Sequence, residues 1–168
     1  VDRMLEALRS AEPGTWLVIT SINSVRFFAE QIGIDNFKAA ISNPNLKFAA
    51  IGERSAAEIK SLGVQEVLLA EDSNAGALST AILKHMPKQV ILPASNIAMK
   101  TLQDAVVTSG VELITEVVYT TETVPNVPLS ISALKQGEID VLVLRSPSAA
   151  RAVANFISPK DVLALVLV

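Results

Sequence analysis

The sequence predicts an α/β protein whose mostly parallel sheet is covered by helices on both faces. Apolar runs of four to six residues alternate with longer amphipathic segments, which is the rhythm of βα units. Runs such as Trp16-Leu17-Val18-Ile19 and Val90-Ile91-Leu92 are apolar at every position, as strands covered on two faces are. Gly33, Gly63 and Gly110 each follow a helical pattern, where a left-handed residue closes a helix and glycine has no Cβ to clash.

Taken in order, the amphipathic opening gives a helix over 2–10, and the apolar run after it a strand over 16–20. A helix over 24–33 ends at Gly33, a strand follows over 47–51, and a helix over 53–62 ends at Gly63. The next units are strand 66–69 with helix 75–85, strand 89–93 with helix 96–109 closed by Gly110, and strand 112–119. The segment TTETVPNVP over 120–128 is rich in Thr and Pro and has no helical period, so it reads as an extended connector and a domain boundary. Beyond it come a short helix near 129–136, strand 139–144, helix 148–157 and strand 162–168.

Composition narrows the function classes. The chain has 168 residues, 50% hydrophobic and 18% charged, without cysteine, which excludes a disordered or disulfide-built protein. Its net charge is −3 and no basic run tracks a phosphate backbone, so nucleic acid is not an expected partner. Mean hydropathy is +0.43, yet no apolar stretch reaches the roughly 18 residues of a spanning helix, so no membrane partner is expected. The lack of cysteine fits a cytoplasmic protein. The chain opens on Val1, directly in a helical pattern, and the natural protein is expected to start earlier.

An internal echo is also present. TWLVITSINSVRFFAEQI (15–32) aligns with DVLVLRSPSAARAVANFI (140–157) at an offset of 125, pairing Ser21 with Ser146 and Arg26 with Arg151. Both copies read strand, Ser-containing turn, helix, and the second stops where its own Gly-containing turn should begin.

Open parallel sheets bind ligands beyond the carboxyl ends of their strands. The loops placed there are Thr20 to Ser24, Gly52 to Ser55, Asp72 to Gly76 with Ser73, Ala94 to Asn96 with Ser95, and Arg145 to Ser148. All offer hydroxyls, amides or glycine next to a helix start, a combination suited to carboxylates or phosphates. The same residue types serve as helix N-caps, and for any single loop capping alone explains them. G-x-G-x-x-G and P-loop patterns are missing, which argues against nucleotides. One His and no Cys exclude the usual zinc arrangements, and His85 falls at a helix end away from the loops. Tyr119, the only tyrosine, ends a strand where a phenol could donate a proton, although strand-end tyrosines are also common packing residues.

Together WLVITSINSVRFF (16–28), AAIGERSAAEIKSLGV (49–64), the Ser of AEDSNAGAL (70–78), VVYTT (117–121) and IDVLVLRSPSAARAV (139–153) resemble uroporphyrinogen-III synthase, in order and in spacing, over most of the chain. The resemblance implies two flavodoxin-like parallel-sheet domains joined by an extended two-stranded connector. Residues 1–119 would be the nearly complete inserted domain, 120–128 connector, and 129–168 part of the split domain. It implies a cytoplasmic, monomeric lyase of heme biosynthesis that converts the linear tetrapyrrole hydroxymethylbilane into uroporphyrinogen III. Water is lost, the last pyrrole ring is inverted, and neither metal nor cofactor takes part. Thr20, Ser21, Asn23 and Ser24 with the Gly52 to Ser55 turn would hold substrate carboxylates on one wall, Ser146 and Ser148 on the other. Ser73, Ser95 and Asn96 join the binding set, and Tyr119 matches the family tyrosine proposed to assist loss of the hydroxyl. The loop Pro93-Ala94-Ser95-Asn96 departs from the family by lacking a basic residue. Two alternatives stand beside this: a noncatalytic flavodoxin-like module binding an anionic small molecule, and a divergent relative kept as an interaction domain.

Overall fold

The computed structural model describes residues 1–98, 100–122, 129–144, 147–158, 161 and 165–167. Through residue 121 the chain runs α1 (Asp2–Arg9), β1 (Thr15–Ile19), α2 (Ile22–Ile32), α3 (Ile34–Ile41), β2 (Leu46–Ala50), α4 (Glu53–Ser61), β3 (Leu68–Leu69), α5 (Ala75–Leu83), β4 (Gln89–Ser95), α6 (Thr101–Thr108) and β5 (Glu112–Tyr119). The strands form one parallel sheet of order β3-β2-β1-β4-β5. This is the doubly wound order 3-2-1-4-5, which differs from the order 2-1-3-4-5 of flavodoxin itself. Here β3 continues outward from β2, so the winding reverses between β1 and β4 rather than between the first and third strands.

Alternation along β1 shows why the sheet is covered twice. All five of its residues are buried. Leu17 and Ile19 join the core formed with α1 to α4, while Trp16 and Val18 join the core formed with α5 and α6. Successive strand side chains point to opposite faces, so an apolar residue at every position requires a helix layer on each. In the first layer Phe28 of α2 meets Phe37 of α3 edge-on at 5.5 Å, both fully buried. Arg26 of α2 forks onto both carboxylate oxygens of Glu58 on α4, at 2.7 and 2.9 Å. That hydrogen bond holds the Glu58 carboxyl below the usual carboxylate range.

Three element expectations change. Residues 34–41, to which the sequence pattern assigns no element, form α3, because Gly33 at a φ of 85° ends α2 and lets a second helix start at once. The strand expected over 66–69 shrinks to Leu68–Leu69 at the sheet edge, with Gln65 and Glu66 exposed. Strand 89–93 extends to Ser95, and helix 96–109 starts only at Thr101. Positive φ at Gly33, Gly63 and Gly110 agrees with the helix ends read from sequence.

The second unit, residues 122–168, is described by itself. It holds α7 (Leu129–Lys135), β6 (Leu142–Leu144), α8 (Pro147–Ala154) and β7 (Leu165–Leu167), with β6 and β7 paired in parallel. The internal echo has a structural counterpart, since α2 opens at Ile22 and α8 at Pro147, which keeps the offset of 125. No described helix is long and apolar enough to cross a membrane.

Because Phe28 is enclosed by both α3 and the sheet, truncation should leave a cavity the helices cannot close. Phe28→Ala is expected to lower the unfolding free energy by about 3–5 kcal/mol in a denaturant titration. A loss below about 1 kcal/mol would contradict this packing.

Candidate functional site

Reversal of the winding between β1 and β4 sends the chain to opposite faces of the sheet. The loop after β1 enters α2 on one side and the loop after β4 enters α6 on the other. A crevice at the carboxyl edge is the geometric consequence. Thr20 and Ser21 lie on one lip, and Ser95 and Asn96 on the other.

Hydrogen bonds decide which loop groups are occupied. Ser21 caps α2, its Oγ accepting from the Asn23 amide at 3.2 Å. Ser24 is 1% exposed and its Oγ donates to the Ser21 carbonyl at 2.6 Å, so it serves the turn itself. Ser55 is likewise buried, one turn into α4. Thr20 is half-buried and Asn23 exposed. Gly52 occupies the N-cap of α4 in extended conformation, with no side-chain cap over the first amides. A methyl group at Gly52 would lie 3.8 Å from the Ser73 Oγ, so the loops after β2 and β3 meet there. Ser73 is exposed, and its neighbour Asn74 caps α5 by accepting from the Ala77 amide at 2.8 Å.

Asn96 has a different task from the one expected. Its Oδ1 accepts from the Thr121 amide at 2.8 Å and its Nδ2 donates to the Thr121 carbonyl at 3.3 Å. The backbone thus takes up the amide, which anchors the chain as it leaves β5. Tyr119 pairs with Ser95 across the β4–β5 ladder, and its half-buried ring stacks on Phe27 of α2 at 5.4 Å and 19°. Ser95, Asn96, Tyr119 and the start of α2 are therefore assembled at one end of the sheet. Ser146 lies outside the described residues, and Ser148 is half-buried in the first turn of α8, in the second unit.

Sequence reasoning missed Lys100. By placing 96–109 in one helix it hid a loop after β4, and Lys100 stands exposed at the N-cap of α6 in that loop. Arg54, exposed in the first turn of α4, is a second cation at this edge. Glu53, Glu71 and Asp72 are exposed beside them, so anion preference rests on the amides and these two cations. Asn96 has the residue type of a helix N-cap, and starting the helix there hid Lys100.

The opposite edge looks different. A groove of about 860 Å³ lies among the amino ends of β1 and β2 and is lined by Trp16, Lys47, Phe48, Val64, Glu66 and His85. His85 covers the Trp16 ring at 5.3 Å, and Lys47 Nζ lies 5.6 Å from its centre. Helix C-termini face this edge and carry partial negative charge, which disfavours an anion. Among the described residues no group of three or more His, Asp or Glu is placed to hold a metal ion.

Comparison with known proteins shows the family and the fold. A family model described as "Uroporphyrinogen-III synthase HemD" matches residues 1–167. A mutant uroporphyrinogen III synthase of Thermus thermophilus superposes with a TM-score of 0.64 at 19% identity, over 92% of this chain and 60% of that one. The wild-type Thermus enzyme gives a TM-score of 0.54 at 19% identity, over 95% and 62%. The chain thus spans about 60% of the length of these structures. No curated protein sequence matches. With the family model covering nearly every residue and the doubly wound fold shared, the chain belongs to the uroporphyrinogen-III synthase family.

Proposed function

We propose that the protein carrying this chain converts hydroxymethylbilane into uroporphyrinogen III, with the carboxyl edge of the sheet as one wall of its site. The observation that carries this reading is the position of Tyr119. A phenol at the end of the edge strand β5 stands beside Ser95 of β4, the strand that borders the reversal, and its ring stacks on Phe27 of α2, the helix entered from the Thr20 to Ser24 loop.

The substrate is a linear tetrapyrrole bearing many carboxylates, and the edge answers them with neutral donors supplemented by few cations. Gly52 leaves the first amides of α4 without a side-chain cap, Ser73 adjoins it, and Lys100 and Arg54 add charge. Thr20, Asn23 and the backbone of the Ser21 turn would take carboxylates on the β1 side. Ser24 acts by holding its turn, and Ser55 is buried in the first turn of α4. Ser146 and Ser148 would serve from the second unit, as the resemblance implies.

Loss of water breaks the carbon–oxygen bond of the hydroxymethyl group. The pyrrole nitrogen supplies the electrons and an azafulvene results, so the protein need only give the departing oxygen a proton. Tyr119 is the donor. General-acid help of this kind is worth about 10²–10⁴-fold, and ordering the chain so that the inverted ring closes is a positioning effect.

An isomer-resolved product assay tests the reading. The type III isomer is expected, whereas type I alone, the spontaneous product, would leave a binding module without turnover. Tyr119→Phe is expected to cut turnover at least about tenfold while keeping the type III product. An unchanged rate would return Tyr119 to packing. Gly52→Asp separates binding from folding: aspartate is a favoured N-cap, and the Gly52 backbone is one any residue adopts, so stability should hold or rise. Its carboxylate should nonetheless repel the polyanionic substrate and raise KM about tenfold. An unchanged KM would remove the α4 N-terminus from the site.

A further inference from the structure

The end of β5 carries a β-bulge, and the bulge decides where Tyr119 points. Ala94 pairs with Val117 and Ser95 with Tyr119, which leaves Val118 as the extra residue on β5. Before the bulge the strand alternates, with Ile114 in the core under α1 to α4 and Leu113 packed against the core under α5 and α6. Continued alternation would turn Tyr119 to the Leu113 side. Instead Val118 and Tyr119 both pack against the α1 to α4 core, and Tyr119 reaches the ring of Phe27. Re-aiming a side chain in this way is a recurrent use of bulges.

The same helix supplies a support for the bulge. Gln31 lies one turn after Phe27 on α2, hence on the same face. Its Nε2 donates to the carbonyl of Val118, the residue the ladder leaves without a partner. A buried carbonyl with no donor would favour a regular strand, so this hydrogen bond favours the bulged register.

We propose that Gln31 is a positioning residue for the proposed reaction, holding the Val118 bulge and through it the Tyr119 phenol. This rests on the reading of Tyr119 as proton donor, but the placement is measurable without substrate. Because the chain has one tyrosine and one tryptophan, ring-labelled tyrosine gives a single NMR ring signal, and the Trp16 indole reports folding independently.

Wild-type protein should show a Tyr119–Phe27 ring contact with an upfield ring-current shift. Gln31→Glu sets a carboxylate against the Val118 carbonyl, and Gln31→Met keeps the length without a donor. Both should weaken the ring contact while leaving the Trp16 indole signal in place, and should lower kcat about tenfold with KM changed by less than about twofold. Gln31→Lys retains a donor and should restore both readouts. A Tyr119–Phe27 contact of wild-type strength in Gln31→Glu or Gln31→Met would overturn the proposal. A wild-type protein that makes no type III isomer would instead sink the synthase reading, with the ring contact still testing the support from Gln31.

Discussion

Burial of β1 on both faces is the constraint on which the rest of the first unit depends. A strand reading Thr-Trp-Leu-Val-Ile, with every residue enclosed, can sit only at the centre of a sheet with helices on either side. Right-handed crossovers then require α2 and α4 on one face as the chain steps outward to β2 and β3, and α5 and α6 on the other as it returns to β4 and β5. The reversal beside β1 opens a crevice at the carboxyl edge whatever residues line it. Function in this fold is a matter of what the loops place there.

Those loops divide their polar groups between holding themselves and meeting a ligand. Ser21, Ser24 and Asn74 are engaged in turn and cap geometry, Asn96 is engaged with Thr121, and Ser55 is buried. What remains at the surface is backbone amide, the Gly52 cap, Ser73, Asn23, the cations Lys100 and Arg54, and the carboxylates Glu53, Glu71 and Asp72. On the proposed reading, attraction for an anion comes from the helix amides, which supply positive potential without adding formal charge. The Phe27–Tyr119 stack and the Gln31 hydrogen bond place the one phenol at that edge.

Much of the fold was legible because burial is written in every residue of β1, in β2 apart from Lys47 and in Val90 to Ala94 of β4, and because glycine marks the helix ends. What escaped has identifiable causes. Helix α3 follows α2 across a single glycine, so no polar loop announces a new element. The loop after β4, and Lys100 with it, was hidden because Asn96 has the residue type of a helix N-cap while α6 starts only at Thr101. At the site, the loops were legible as a set because strand ends are predictable, but the task of each side chain was not. Ser24 bonds three residues back, and Asn96 bonds across 25 residues of sequence to Thr121. The bulge at Val118 was invisible because a register shift depends on the partner strand, and Val117-Val118-Tyr119 reads as an ordinary strand end.

On the proposed reading the carboxyl edge, and not the groove at the opposite edge, receives a tetrapyrrole polycarboxylate. Titration of isotope-labelled protein with uroporphyrinogen III, followed by amide resonances, tests it most directly. Saturable shifts are expected to concentrate at Thr20 to Ser24, Gly52 to Ser55, Ser73 and Ser95 to Lys100. Shifts centred on Trp16, Lys47 and His85, or no saturable shift at any ligand concentration, would contradict it.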